Sequence, residues 1–311
     1  MKVAIIDLGT NTFHLLIAEI RADKTYSILH QENEAVQLGK GGIMNNELTT
    51  DAITRGLTTL KKYKEICDRN AVELIIAKGT SAIRNAENGL DFVNQVLEKT
   101  GIRIEIISGD REAELIFLGV NAAFNSSNEK SLIMDIGGGS VEFIIVQNNH
   151  ISWKKSFDIG AARLLASYNF EKQLSESESE KLKNELEIKL NELLLELEKH
   201  SIFKLIGSAG SFETFAEMCE YETTLNFTNE HKPLYQFDLN TFNKVHQWLI
   251  LSTRTDRENN PAIISLRRDM IVPAVILSKL VLEKSKAKEL WLSTFALKEG
   301  ILLDYLNNIE L

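Results

Sequence analysis

The sequence has 311 residues, of which 44% are hydrophobic and 25% charged. Those proportions exclude a disordered or collagen-like chain and fit a globular protein of about two domains. The 35 basic and 44 acidic side chains leave a net charge of −9, which excludes a strongly basic nucleic-acid binder. A polyanionic ligand would need a local positive site against an unfavourable global field.

Val3–Ile6 reads as a buried strand, and 13–20 as its hairpin partner across the turn Gly9-Thr10-Asn11. A third strand is expected over 27–33. Thr49-Thr50-Asp51 marks a helix start, with Ile53, Leu57, Leu60, Lys64 and Cys67 at helical spacing behind it. A short strand over 74–77 is followed by Gly79-Thr80-Ser81 and a helix through Val93, Val96 and Leu97. A strand over 103–107 and a helix over 110–124 follow. This strand–helix alternation predicts α/β architecture.

The polar segment 125–130 is the expected linker, and strands resume over 132–136, 141–146 and 151–157. Leu182, Leu186, Leu190, Leu193 and Leu197 form an apolar stripe along 175–200, expected to be an amphipathic packing helix rather than a coiled-coil partner. Then come a strand over 204–206, a helix from about Phe212, and a helical stretch over 263–284, bent or started near Pro273. A last strand over 290–292 and a terminal helix over 296–307 complete the chain. Cys67 and Cys219 stand far apart and outside any CxxC pattern, which predicts a reduced, cytoplasmic setting without disulfides. The first apolar run is too short for a secretory leader, and no stretch is apolar enough to span a membrane.

An internal repeat is the most informative feature. Ile5-Ile6-Asp7-Leu8-Gly9 aligns with Ile133-Met134-Asp135-Ile136-Gly137, an offset of 135 − 7 = 128 residues. Each copy is an apolar strand, an Asp, a Gly-containing turn and a second strand, so two related domains are expected. Gly137-Gly138-Gly139 lacks Cβ atoms, which permits positive φ and close approach to a ligand, and successive N–H groups can form an anion nest. Thr10, Asn11 and Ser140 add side-chain donors. Asp7 and Asp135 beside such turns would repel a phosphate unless a divalent cation lies between, and hard oxygens suit Mg²⁺. Glu142, two residues beyond Ser140, shares its strand face. The competing reading is a pair of tight hairpins with glycine needed only for turning.

Gly207-Ser208-Ala209-Gly210-Ser211 is a strand-to-helix turn, either a phosphate cradle or a plain turn capped by Ser211. Glu112, in the first turn of its helix, is either catalytic or a dipole feature. Arg84 and Arg267, the latter placed at a helix start, are either phosphate clamps or solvated arginines. The sequence contains no GxxxxGK[ST], no GxGxxG after a strand and no histidines at metal-binding spacing, so neither a P-loop nor zinc is predicted.

Taken in order, the segments 7–11, 79–86, 107–113, 135–142, 160–164 and 267–269, with 297–300 near the end, resemble the exopolyphosphatase / guanosine pentaphosphate phosphohydrolase family. That family lies within the actin, sugar-kinase and heat-shock ATPase superfamily. The resemblance implies an α/β protein of two ribonuclease-H-like domains, drawn at 1–124 plus 298–311 and at 125–297, with an interdomain active-site cleft. It implies Mg²⁺-dependent (or other divalent cation) release of terminal orthophosphate from inorganic polyphosphate, guanosine pentaphosphate or both. No nucleic acid or membrane is implied as a partner, and a homodimer is.

By position, Glu112 matches the family's catalytic glutamate, and Asp135 and Glu142 its metal-binding or water-orienting carboxylates; Asp7 is expected as a further metal ligand from its place beside the first turn. Gly137, Gly138, Gly139 and Ser140 match the phosphate loop and Arg84 a phosphate-contacting arginine; Thr10, Asn11, Gly207, Ser208 and Arg267 are expected, from their turns and charge, to bind phosphate as well. Thr10 and Thr12 stand where serines are usual, Val141 where threonine is, Ala209 where glycine is common, and Arg111 where a second glutamate is frequent. The chain resembles the short members that lack an appended metal-binding helical domain. Two other readings remain open: a small-molecule kinase of the same superfamily, and a non-catalytic nucleotide-binding, actin-like protein.

Overall fold

A computed structural model describes residues 1–124, 129–227 and 232–309; most of the expected linker, 125–128, lies outside the described residues. The chain divides into two compact units. The first comprises Met1–Gly119, Gly137–Gly139 and Leu297–Leu311, and the second Val120–Ile136 and Ser140–Ala296.

In the first unit the chain runs β1 (Lys2–Leu8), β2 (Phe13–Ile20), β3 (Tyr26–Glu34), α1 (Thr50–Arg69), β4 (Leu74–Gly79), α2 (Ser81–Asn85), α3 (Gly89–Thr100), β5 (Ile104–Ile106) and α4 (Gly109–Phe124). The sheet order is β3-β2-β1-β4-β5, with β1–β2 and β2–β3 antiparallel and β4 and β5 parallel to β1. Val3, Ala4, Ile5 and Ile6 are all fully buried. The continuous apolar run of β1 is what a strand covered on both faces requires. Ala4, Ile6, Leu8, Phe13 and Leu15 share a core with Leu57, Leu60 and Tyr63 of α1 and Phe92 and Val96 of α3. α1 starts where the sequence predicts, with the Thr49 hydroxyl accepting from the Ala52 N–H.

The second unit continues with β6 (Ser131–Ile136), β7 (Val141–Gln147), β8 (His150–Phe157), α5 (Ala161–Ser167), α6 (Glu176–Lys189), α7 (Asn191–Lys199), β9 (Lys204–Ser208), α8 (Gly210–Thr224), β10 (Leu234–Gln236), α9 (Leu239–Leu251), α10 (Arg254–Asn259), α11 (Ile271–Ser285) and β11 (Glu289–Ser293). α12 (Leu297–Asn308) returns to the first unit. The second sheet runs β8-β7-β6-β9-β11-β10. Both sheets contain the order three-two-one-four-five, with β10 added at the edge of the second, which is the ribonuclease-H-like arrangement implied by the family resemblance.

Four expectations need correction. The leucine-striped segment is two helices broken at Leu190, yet Leu182, Leu186, Leu190, Leu193 and Leu197 are all buried in one core, so the stripe packs inward. The stretch over 263–284 is helical only from Ile271. Pro273 lies in the first turn of α11, where its missing N–H costs nothing, and Arg267-Arg268-Asp269 precede the helix instead of starting it. The first helix after β4 is the short α2, separated from α3. Finally, α5, α9, α10 and β10 are elements beyond those expected; α5, α10 and β10 are short, while α9 does carry Phe242, Val245 and Leu249 at helical spacing. Cys67 and Cys219 are buried free thiols, and no described helix is long and apolar enough to cross a membrane.

α12 crosses α4 at Gly300, where a Cβ would collide with the backbone carbonyl of Leu115. Backbone cannot yield as a side-chain tip can. Gly300→Ala is therefore expected to lower unfolding stability by about 1–3 kcal/mol, measured by urea denaturation; an unchanged midpoint would show that the crossing is soft.

Candidate active site

The two carboxylates of the second unit stand at neighbouring places in its sheet. Asp135 of β6 is directly opposite Glu142 of β7 in the antiparallel register, so both face the same side. Asp135 also pairs in register with Ser208 of β9, and Glu142 with Ser156 of β8. Ser208 Oγ donates to Asp135 Oδ2 at 2.7 Å, and Ser156 Oγ donates to Glu142 Oε1 at 2.6 Å. The result is a row Ser208–Asp135–Glu142–Ser156 across four adjacent strands. Asp135 and Glu142 are 7% and 1% exposed. Like charges placed side by side and away from water are destabilising unless hydrogen bonds or cations compensate.

Next to this row lies the β9–α8 turn. Gly207 is glycine because the Phe212 ring occupies the place of its Cβ, and Gly210 because the Arg267 guanidinium occupies its own. Arg267 keeps part of its surface in solvent but is densely surrounded. Burial holds it below the ordinary arginine value, while the charges of Glu213, Asp135 and Glu217 oppose that shift. Its Nε and the Ser211 Oγ are buried without a hydrogen-bond partner. Ser211 is not the helix cap. Ala209 occupies that position, with φ 66° and ψ 171°, a region that side chains other than glycine rarely enter.

In the first unit, Asp7 (9% exposed) closes the matching strand β1, opposite His14 of β2 and beside Lys78 of β4. Gly9 turns the chain so that its N–H meets the Thr12 carbonyl at 3.1 Å. The tip Gly137–Gly139 belongs to this unit. A Cβ on Gly138 would fall on the Asn11 amide, and one on Gly139 would lie 2.7 Å from Thr10 Oγ1. Neither glycine has a positive φ, so close approach, not left-handed backbone, explains both. Arg84 of α2 donates from Nη1 to the Ile107 carbonyl at 3.0 Å and to Glu112 Oε2 at 2.8 Å. Glu112 is 6% exposed in the first turn of α4, where Ser108 Oγ accepts from the Arg111 N–H. Arg111 itself pairs with Glu114 and Asp304.

The first unit thus gathers Thr10, Asn11, the Gly137–Gly139 tip, Arg84 and Glu112. The second gathers Asp135, Glu142, Ser208 and Arg267; Ser140, 2% exposed, immediately precedes β7. Among the described residues no three His, Cys, Asp or Glu side chains form a group able to hold a metal by themselves. Mg²⁺ asks for less: one or two carboxylates plus water and substrate phosphates. The opposed oxygens of Asp135 and Glu142 fit that demand.

The sequence model of the Ppx/GppA phosphatase family matches residues 16–309. The chain belongs to that family. An exopolyphosphatase from Cytophaga hutchinsonii is 39% identical with a TM-score of 0.95, covering 100% of this chain and 99% of that one. The Aquifex aeolicus Ppx/GppA family member, 24% identical with a TM-score of 0.81 over 100% and 99% of the two chains, shares the fold. By sequence, the chain is 38% identical over 219 residues to the bifunctional 3-dehydroquinate synthase/phosphatase of Fusobacterium nucleatum. That match covers 68% of this chain and 33% of the relative, so the matched region is about a third of the relative's length. A putative exopolyphosphatase of Haemophilus influenzae is 26% identical over 99% of this chain and 93% of its own.

Within this Ppx/GppA chain, sequence reasoning missed Ser156, Glu213 and Glu217. Ser156 was findable only through strand register, and the two acids only through a fold that sets α8 beside Arg267. Ala209→Gly is expected to raise stability by about 1 kcal/mol, the relief of a strained φ exceeding the added chain entropy. A lower thermal midpoint for that variant would show that Ala209 carries no strain.

Proposed function

We propose that this chain hydrolyses the terminal phosphoanhydride bond of inorganic polyphosphate and releases orthophosphate. The observation that carries the reading is the Arg84–Glu112 pair, 2.8 Å apart, in the unit that also holds the Gly137–Gly139 tip. An acid and a bidentate-capable cation are thereby presented together to an anion. The 39% identity to an exopolyphosphatase over the whole chain supports polyphosphate as the substrate.

Phosphoryl transfer demands mainly positioning and charge neutralisation. Thr10, Asn11 and the amides of Gly137–Gly139 donate to phosphoryl oxygens. Arg84, once it swings a donor onto phosphate, leaves Glu112 to accept a proton from the attacking water. Such base catalysis is worth roughly 10²–10⁴-fold. In the second unit, Ser140, the backbone of Gly207, Ser208 and Arg267 offer further donors to phosphate oxygens. Asp135 and Glu142 in the second unit, and Asp7 in the first, are hard-oxygen donors available to a divalent cation, which when bound neutralises charge on the phosphoryl group.

Glu112→Ala is expected to lower turnover at least about 10²-fold while KM stays near the wild-type value, measured as orthophosphate release. Near-normal turnover would remove Glu112 from the mechanism. Chelation with excess EDTA is expected to stop release and added Mg²⁺ to restore it; full activity in EDTA would exclude the cation. Running guanosine pentaphosphate and ATP with an acceptor in parallel separates the substrate assignment from the reaction class.

A further inference from the structure

We propose that Ser81 is a substrate-binding residue, its hydroxyl donating a hydrogen bond to the terminal phosphoryl group beside Gly139 and Thr10; this rests on the reading of the chain as a polyphosphate hydrolase. Ser81 begins α2, directly after β4, and is 2% exposed. Its Oγ is buried without a hydrogen-bond partner. Buried hydroxyls are otherwise satisfied in folded proteins, because a stranded one forfeits its hydration for nothing. Several other buried serines of this chain obey that rule, although Ser211 Oγ is stranded as well. Ser208 donates to Asp135, Ser252 to the Leu249 carbonyl, and Ser278 to the Ala274 carbonyl. The neighbouring Thr80 is also bonded, its hydroxyl and its N–H both reaching the Leu8 carbonyl.

A second, independent observation is where the stranded hydroxyl lies. A Cβ on Gly139 would stand 2.5 Å from Ser81 Oγ and 2.7 Å from Thr10 Oγ1. Two hydroxyls, from the β1–β2 turn and from the start of α2, therefore converge on one residue that has no side chain. Arg84 is three residues along from Ser81, so the two share a helix face, and Arg84 reaches Glu112. A donor waiting unbonded between a glycine-rich backbone and an arginine is matched by a phosphate oxygen, which accepts readily and in several directions.

The test uses wild type, Ser81→Ala and Ser81→Cys, each assayed for orthophosphate release from polyphosphate and for the thermal shift produced by tripolyphosphate. Ser81→Ala is expected to raise KM at least about tenfold, the loss of one hydrogen bond to a charged acceptor, with little change in kcat. The tripolyphosphate-induced shift should shrink in parallel, and Ser81→Cys, a weaker donor, should fall between. A purely structural serine would behave otherwise: its alanine variant would melt lower without ligand, whereas removal of a stranded hydroxyl leaves the ligand-free midpoint unchanged or higher. Unchanged KM and thermal shift in Ser81→Ala would overturn the assignment, as would absence of any tripolyphosphate shift in wild type. If wild type releases no orthophosphate yet shows a Ser81-dependent shift, the catalytic reading fails while Ser81 stands as a phosphate ligand.

Discussion

The second unit is organised around two buried carboxylates that face one another across β6 and β7. Asp135 and Glu142 sit opposite in register and nearly out of water, where their mutual repulsion is screened far less than at a surface. Each accepts from a serine hydroxyl on the next strand outward. Carboxylates buried side by side favour positive charge and hydrogen-bond donors at the face they share. Arg267 answers part of this demand from its place against Gly210, its own burial opposed by the field of Asp135, Glu213 and Glu217. Strain at Ala209 and the stranded atoms of Ser211 and Arg267 gather at the same turn. A fold optimised only for stability would have removed them.

Much of this was legible in the sequence, and particular residues show why. β1 and β6 announce themselves as apolar runs, Val3–Ile6 and Leu132–Met134, each followed by an Asp, because a strand covered on both faces is apolar along most of its length. The 128-residue offset that relates Asp7 to Asp135 also relates His14 to Glu142, so the two hairpin turns have equal length and equal register. The pair Arg84 and Glu112, 28 residues apart, were both candidates. That they touch followed only once α2 and α4 were set at adjacent strand ends. What stayed hidden depends on contacts distant in sequence: Ser156 enters the site through β7–β8 register, and the break at Leu190 leaves the leucine stripe unchanged because both helices bury the same face.

The glycines show the limit most clearly. A run such as Gly137-Gly138-Gly139 signals either unusual backbone or crowding, and composition does not distinguish the two. Here crowding is the cause. Asn11 and Thr10 fill the volume that side chains at 138 and 139 would need, and neither glycine leaves the ordinary φ range. Gly207 and Gly210 repeat the lesson with Phe212 and Arg267 as the crowding groups. The one residue at the β9–α8 turn that does need a glycine-like backbone is Ala209, which is not glycine.

The duplicated turns have therefore diverged in complementary directions. The first copy, Gly9-Thr10-Asn11, keeps one glycine and two polar side chains. The second, Gly137-Gly138-Gly139, has three glycines and no side chain. Side chains of the first turn stand where the second has emptied its Cβ positions, so the polar groups of one turn come against the bare backbone amides of the other. Hydroxyl, carboxamide and peptide N–H donors concentrated in this way attract an anion more strongly than either turn would alone. A single hairpin with the average sequence of the two would offer neither the clearance nor the donors, which explains why the loops have lost their resemblance at these positions while the strands and the preceding Asp have kept it.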